Sequence, residues 1–220
     1  MRKYRIRFSK EGRAKYISHL DLVRTFQRVF VRSGLKIKHT EGFNPHPRMV
    51  FGLPLSVGCE SACELMDFEL ENEVDPKDIP ALLNQTMPEG ITVAAAYAPE
   101  RKLKELKWLS VSGVLEYDEG AAEDAVDRLA GLFGAQSLVI QKKSKKGIAA
   151  ADIAPMIASI EFARKSRTEI ALSAVISAAD PALNPVNLVQ AICQRMPELS
   201  PDFYRFRRLE ILDSDKKPFR

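Results

Sequence analysis

Two histidines and one proline-stiffened segment carry most of the reactive chemistry in this sequence. His19 lies beside Tyr16 and Asp21 at the predicted start of a helix. A helix N-terminus favours the neutral imidazole, the form a general base needs. Paired with His46, it would make an acid/base couple of the kind used in metal-free RNA cleavage. The competing reading is a histidine that only satisfies the fold. His46 belongs to Glu41-Gly42-Phe43-Asn44-Pro45-His46-Pro47-Arg48, where two prolines disfavour helix for Asn44 and His46. Phe43, Asn44, His46 and Arg48 are then held out on a stiff loop. Together they can stack on a base, hydrogen-bond its edge and hold a phosphate. The alternative is a rigid crossover with Phe43 plugging the core.

Arg24, Arg28 and Arg32 are spaced by four residues and so line up one per helical turn. Like charges at that spacing repel by roughly 0.2–0.5 kcal/mol per pair, a cost that an anion along the row would remove. Arginine's planar fork matches phosphate oxygens, so a nucleic-acid backbone is the expected occupant; the plainer reading is a solvated face. Lys142, Lys143, Lys145 and Lys146 form a second basic stretch, read as a flexible loop. Near the end of the chain, Phe203, Arg205 and Arg207 share one strand face and Tyr204 and Phe206 the other, with one set expected in the core. Cys59 and Cys63 lack a partnering pair, and Cys193 is remote, so neither metal nor cluster is expected. Phosphate-binding loops, G-x-G-x-x-G, H-E-x-x-H and nucleophile elbows are absent, which argues against nucleotide hydrolysis and common hydrolase chemistry.

These residues need elements to position them. Tyr4, Ile6 and Phe8 alternate with Arg5 and Arg7, predicting a strand over 3–8. Ser18 with Asp21 predicts a capped helix running to Ser33, stopped by Gly34, with Leu22, Phe26, Val29 and Phe30 as its buried stripe. Strands follow at 49–55 and 63–70, then a helix at 76–85 and a strand at 91–97. The order repeats as strand 108–117, helix 121–133, strand 137–141, a basic loop with a helical turn near Ile153, a hairpin 159–163/169–176, helix 184–195 and strand 202–212. Two βαββαβ patterns predict an α+β protein of two tandem ferredoxin-like units with antiparallel sheets, at 1–100 and 106–220. The charged stretch 99–107 joins them.

Composition is ordinary for a globular chain, with 45% hydrophobic and 28% charged residues. No apolar run approaches the ~20 residues needed to span a bilayer. The basic N-terminus lacks the apolar core of a signal peptide, and the odd cysteine count suits a reducing compartment, so a cytoplasmic protein is expected. Net charge is only +4, but residues 1–48 hold thirteen Lys/Arg against three Asp/Glu, and an acidic stretch follows to Asp78. A local excess of this size can hold phosphates on a nearly neutral molecule.

The stretches Tyr16-Ile17-Ser18-His19-Leu20-Asp21 and Gly42-Phe43-Asn44-Pro45-His46-Pro47 resemble the radical-SAM-linked family. The resemblance extends through Pro54-Leu55-Ser56-Val57-Gly58 and Glu64-Leu65-Met66-Asp67. In that family the domain stands alone or follows a radical S-adenosylmethionine enzyme. The C-x-x-x-C-x-x-C motif of the radical enzyme itself is missing, so the resemblance implies a stand-alone accessory form with a radical enzyme as possible partner and no cofactor of its own. It supplies no catalytic assignment. The doubled architecture is also similar to that of CRISPR repeat-processing endoribonucleases, but residues 202–220 lack their glycine-rich loop. Three functions are therefore expected to compete: an RNA-binding accessory for tRNA or rRNA modification, a metal-independent endoribonuclease using His19 and His46, and a protein-interaction module for a radical enzyme.

Overall fold

Alternation in the first strand sends Tyr4, Ile6 and Phe8 to one side and Arg5 and Arg7 to the other. The computed structural model, which describes residues 2–144 and 147–220, places the first three side chains in a hydrophobic core. The chain divides into two compact units, one reaching to Leu106 and taking in Pro218–Arg220, the other Lys107–Lys217. Both are mixed α+β, and each strand pairing within them is antiparallel.

The first unit runs β1 (Lys3–Lys10), α1 (His19–Ser33), β2 (Met49–Phe51), β3 (Glu60–Glu69), α2 (Ile79–Asn84) and β4 (Ile91–Tyr97). Its strands lie side by side in the order β4-β1-β3-β2. Phe8 meets Phe26 edge-on at 4.9 Å, and Phe30 meets Phe68 at the same distance, so α1 is locked to the sheet by aromatic pairs. Ser18 caps α1 by accepting from the Asp21 amide at 3.2 Å, and Gly34 ends it with φ of 74°. That left-handed conformation favours glycine. The second strand is shorter than predicted, because Gly52 packs beneath Leu103 and Leu106 and Pro54 lacks the amide to extend a ladder.

Arg5 points away from this core yet is wholly buried. Its guanidinium grips Asp67 through two bonds of 2.6 and 2.9 Å, donates to the Arg101 carbonyl at 2.8 Å, and lies over the Phe219 ring. The Arg101 guanidinium also lies within 4.9 Å of the centre of that ring. This tail contact is why Pro218–Arg220 belong to the first unit.

The second unit runs β5 (Trp108–Glu116), α3 (Ala125–Phe133), β6 (Val139–Ser144), β7 (Gly147–Asp152), β8 (Ile157–Arg164), β9 (Glu169–Ser177), α4 (Val186–Arg195) and β10 (Phe203–Leu212). Four of its strands lie in the order β10-β5-β9-β8, with β6 and β7 forming a separate hairpin. The expected loop at Lys142 and Lys143 is thus part of a strand, while Lys145 and Lys146 lie outside the described residues. The reason is the ladder with β7, where Lys142 lies opposite Ala149 and Lys143 opposite Ile148. On the other edge of β6, Gln190 and Gln194 on α4 hydrogen-bond the backbone of Gln141, and Arg195 the carbonyl of Val139. In β10, Phe206 is buried against Gly113, where a Cβ would come within 2.7 Å of its ring, and Phe203 faces outward. Among the described residues, no helix is long and apolar enough to cross a membrane.

Candidate nucleic-acid interface

The chain's basic N-terminal stretch meets its acidic neighbour in space. Antiparallel pairing sets β1 against β3, so Arg5 faces Asp67 and Lys3 faces Glu69. Lys3 and Arg48 both reach Glu69, at 3.6 and 3.2 Å, and Lys15 reaches Glu60 at 3.5 Å. Part of the local positive excess read along the sequence is therefore cancelled across the sheet, where Asp67, Glu69 and Glu60 meet Lys3, Arg5, Lys15 and Arg48.

The arginine row on α1 is split by the same logic. Arg24 donates to Asp21 at 3.2 Å, one helical turn back. Asp21 also accepts from the Ser18 hydroxyl at 2.7 Å, and these two bonds hold its carboxyl below the usual carboxylate range. Arg28 and Arg32 are exposed, and neither forms a hydrogen bond or ion pair among the described residues. Arg32, in the last turn, is favoured by the negative end of the helix dipole, and Arg28 is attracted at longer range by Asp21, two turns back.

Both free arginines line a cleft of about 370 Å³ with Thr25, Val29, Thr86, Met87 and Pro88. One wall is α1 and the other the turn from α2 into β4. That turn is fixed from below: the Asn84 side chain donates to the Val93 carbonyl at 2.9 Å and accepts from its amide at 2.8 Å. Thr25 sits three residues before Arg28 and was legible as sharing its helical face. Thr86, Met87 and Pro88 carried no signal in the sequence, because only the fold brings them to α1.

The segment 38–48 forms a narrow antiparallel excursion. His39 bridges Pro47, the Thr40 amide donates to the His46 carbonyl at 2.8 Å, and the His46 amide donates to the Thr40 hydroxyl at 2.9 Å. At its base, the Lys38 amide donates to the Glu69 carbonyl and the Arg48 side chain to the Glu69 carboxylate. The tip is left standing in solvent. Phe43 is fully exposed at 113%, so it does not plug the core, and the Asn44 side chain makes no hydrogen bond among the described residues. Arg48 is half anchored: one nitrogen meets Glu69, while its buried Nε has no partner.

His19 and His46 are not joined by a hydrogen bond or ring contact. The His19 ring packs edge-on against Phe51 at 5.3 Å, and the His46 imidazole extends from the excursion. Nor does a hydrogen bond or ion pair link the α1 arginines to Phe43, Asn44, His46 or Arg48. Among the described residues there is no group of three potential metal ligands, and Cys59, Cys63 and Cys193 form no disulfide.

Known structures with a similar fold include a chain of a Cbf5-Nop10-Gar1 complex, matched at TM-score 0.54 and 8% identity over 94% of this chain and 48% of that one. This chain thus spans about half the length of that relative, and at such low identity the likeness concerns the fold alone. A protein of unknown function from Galdieria sulphuraria matches at TM-score 0.27 and 8% identity, over 94% of this chain and 98% of that one. No curated protein matches the sequence. The model of the family described as an uncharacterized protein conserved in bacteria, DUF2344, matches residues 3–185, and this chain belongs to that family.

Proposed function

We propose that this chain is a cytoplasmic RNA-binding accessory protein, built of two tandem ferredoxin-like units, that serves a radical S-adenosylmethionine enzyme in tRNA or rRNA modification. The observation that carries the reading is the pair Arg28 and Arg32, which keep free guanidinium groups while Arg5, Arg24 and Arg48 are matched to carboxylates. A pair a turn apart that forms no hydrogen bond or ion pair is favoured by an anion, and phosphate suits the guanidinium fork. The exposed Phe43 tip, with Asn44 and His46, supplies a stacking and edge-reading element of the kind single-stranded RNA requires. The β4-β1-β3-β2 and β10-β5-β9-β8 orders support the ferredoxin-like reading of both units. The radical-enzyme partner rests on the family resemblance of residues 16–21 and 42–47.

The test is binding of total tRNA and rRNA fragments to wild type and to Arg28→Ala/Arg32→Ala at two salt concentrations. Affinity should fall steeply with salt, and the slope of log affinity on log salt should shrink by about 0.7 for each single-strand phosphate that the variant no longer neutralises. Salt-independent binding, or binding unchanged in the variant, would overturn the reading. A second reading, a protein-interaction module for the radical enzyme, is favoured by exposed Tyr16, Leu20 and Val57 around the start of α1. Co-purification of a radical enzyme that survives nuclease treatment and is lost in Leu20→Asp would support it.

A further inference from the structure

The cleft beside α1 has the dimensions and chemistry of a site for one nucleotide. Its volume of about 370 Å³ lies at the small end of ligand sites, which run from roughly 300 to 1,000 Å³. An extended strand would need a longer groove. The charge is concentrated to match: Arg28 and Arg32 start about 6 Å apart along the helix axis and both face this one space. A terminal phosphate carries roughly −1.5 to −2 at neutral pH, enough to answer both guanidiniums, whereas a bridging phosphodiester carries one charge.

The rest of the lining is apolar or accepting. Half-buried Met87 and exposed Pro88 offer an apolar surface for a flat ring, and a thioether makes favourable contacts with aromatic edges. The Thr25 hydroxyl already donates to the Asp21 carbonyl at 2.8 Å, and the Thr86 hydroxyl lies 3.4 Å from the carbonyls of Val29 and Leu83. Their protons are turned inward, so what they offer the cleft is lone pairs. Those accept from ribose hydroxyls or exocyclic amines and leave the phosphate to the arginines. The Asn84 clasp on Val93 holds the far wall in place before a ligand arrives.

We infer that this cleft binds a single phosphorylated nucleotide, with the phosphate between Arg28 and Arg32 and the nucleoside against Met87 and Pro88. The inference rests on the phosphate-binding reading of the same two arginines and narrows it from a backbone track to one terminal phosphate. The nucleotide could be free or the phosphorylated end of an RNA strand; both present the same group.

The experiment titrates the protein with adenosine 5′-monophosphate, adenosine, and single-stranded RNA oligonucleotides bearing a 5′-phosphate, a 3′-phosphate or neither. Adenosine 5′-monophosphate should bind at least about a hundredfold more tightly than adenosine, the low end of what two charge-assisted hydrogen bonds supply. Arg28→Ala and Arg32→Ala should each remove most of that preference, with circular dichroism reporting an intact fold. Preference for one phosphorylated oligonucleotide, competed by the mononucleotide, identifies a strand end as the ligand. Binding of the mononucleotide without preference among the oligonucleotides identifies the free nucleotide. Adenosine binding as tightly as its monophosphate, or neither binding at millimolar concentration, overturns the inference. In that case, salt-sensitive RNA binding lost in Arg28→Ala/Arg32→Ala would leave the RNA reading intact, since it does not require the cleft to be filled.

Discussion

The first unit contains two sets of arginines with opposite fates. On the sheet, Arg5 is wholly buried and held by Asp67, the Arg101 carbonyl and Phe219, and Arg48 is tied to Glu69. On α1, Arg28 and Arg32 are exposed and form no hydrogen bond or ion pair among the described residues. The first set is structural: removing a charge from its partner inside a protein strands the other in a medium that solvates it poorly. The second set contributes little to the fold: repulsion within the row is offset by the helix dipole at Arg32 and by Asp21 at Arg28. The difference teaches that the positive charge available to a ligand is the part that the protein's own carboxylates do not bind directly.

The comparison breaks most visibly at Asp67. Asp67→Ala leaves the Arg5 guanidinium buried beside a missing counter-ion and should destabilise the protein by about 3–5 kcal/mol, measured by urea denaturation. A loss below about 1 kcal/mol would mean that Arg5 escapes to water and is not structural. Next is Ser18→Ala, which removes the α1 cap and should cost about 1 kcal/mol at neutral pH. The pH dependence has a definite sign. The folded Asp21 carboxyl titrates below its unfolded value of about 3.9, so the stability it adds is complete above that value and is lost as pH falls through the lower, folded one. The penalty of Ser18→Ala should therefore shrink in acid; a penalty constant from pH 7 to pH 2 would contradict the Ser18–Asp21 bond.

The smallest effects sharpen the contrast. Arg28→Ala/Arg32→Ala should leave stability within about 0.5 kcal/mol of wild type, because relieved like-charge repulsion and alanine's better helix propensity offset the lost attraction of Arg32 to the helix dipole. A clear loss of thermal stability would reassign the pair to the fold. Phe43→Ala should likewise change stability by less than about 0.5 kcal/mol, since its ring touches solvent on all sides, while weakening RNA binding through lost stacking. A large drop in melting temperature would show that the ring packs against the protein in solution.

Much of the positioning frame was legible before folding. The alternation of Tyr4, Ile6 and Phe8, the Leu22–Phe26–Val29–Phe30 stripe and the Ser18 and Gly34 boundaries all read correctly, because they depend on periodicity and local capping within a few residues. The Lys142–Lys143 stretch did not. Its polarity suggests a loop, but it pairs with β7 in a hairpin, Lys142 opposite Ala149 and Lys143 opposite Ile148. Glutamines of α4 some fifty positions away bond the adjoining Gln141 backbone. Likewise Phe43 had two readings of equal local logic, core plug or exposed tip. Thr40, Lys38 and Glu69 decided between them by pinning the base of the excursion.

By itself the sequence determined which residues could carry phosphate or base chemistry, and the periodicities that sort them onto helix or strand. Which of those residues remain free to do so was decided by tertiary structure alone. Charge along a chain is a sum over neighbours in sequence, but Coulomb energy depends on distance in space. The pairing of β1 with β3 brought the acidic stretch onto the basic one and neutralised Lys3 and Arg5, and left Arg28 and Arg32 facing a cleft whose other wall lies nearly sixty residues further on.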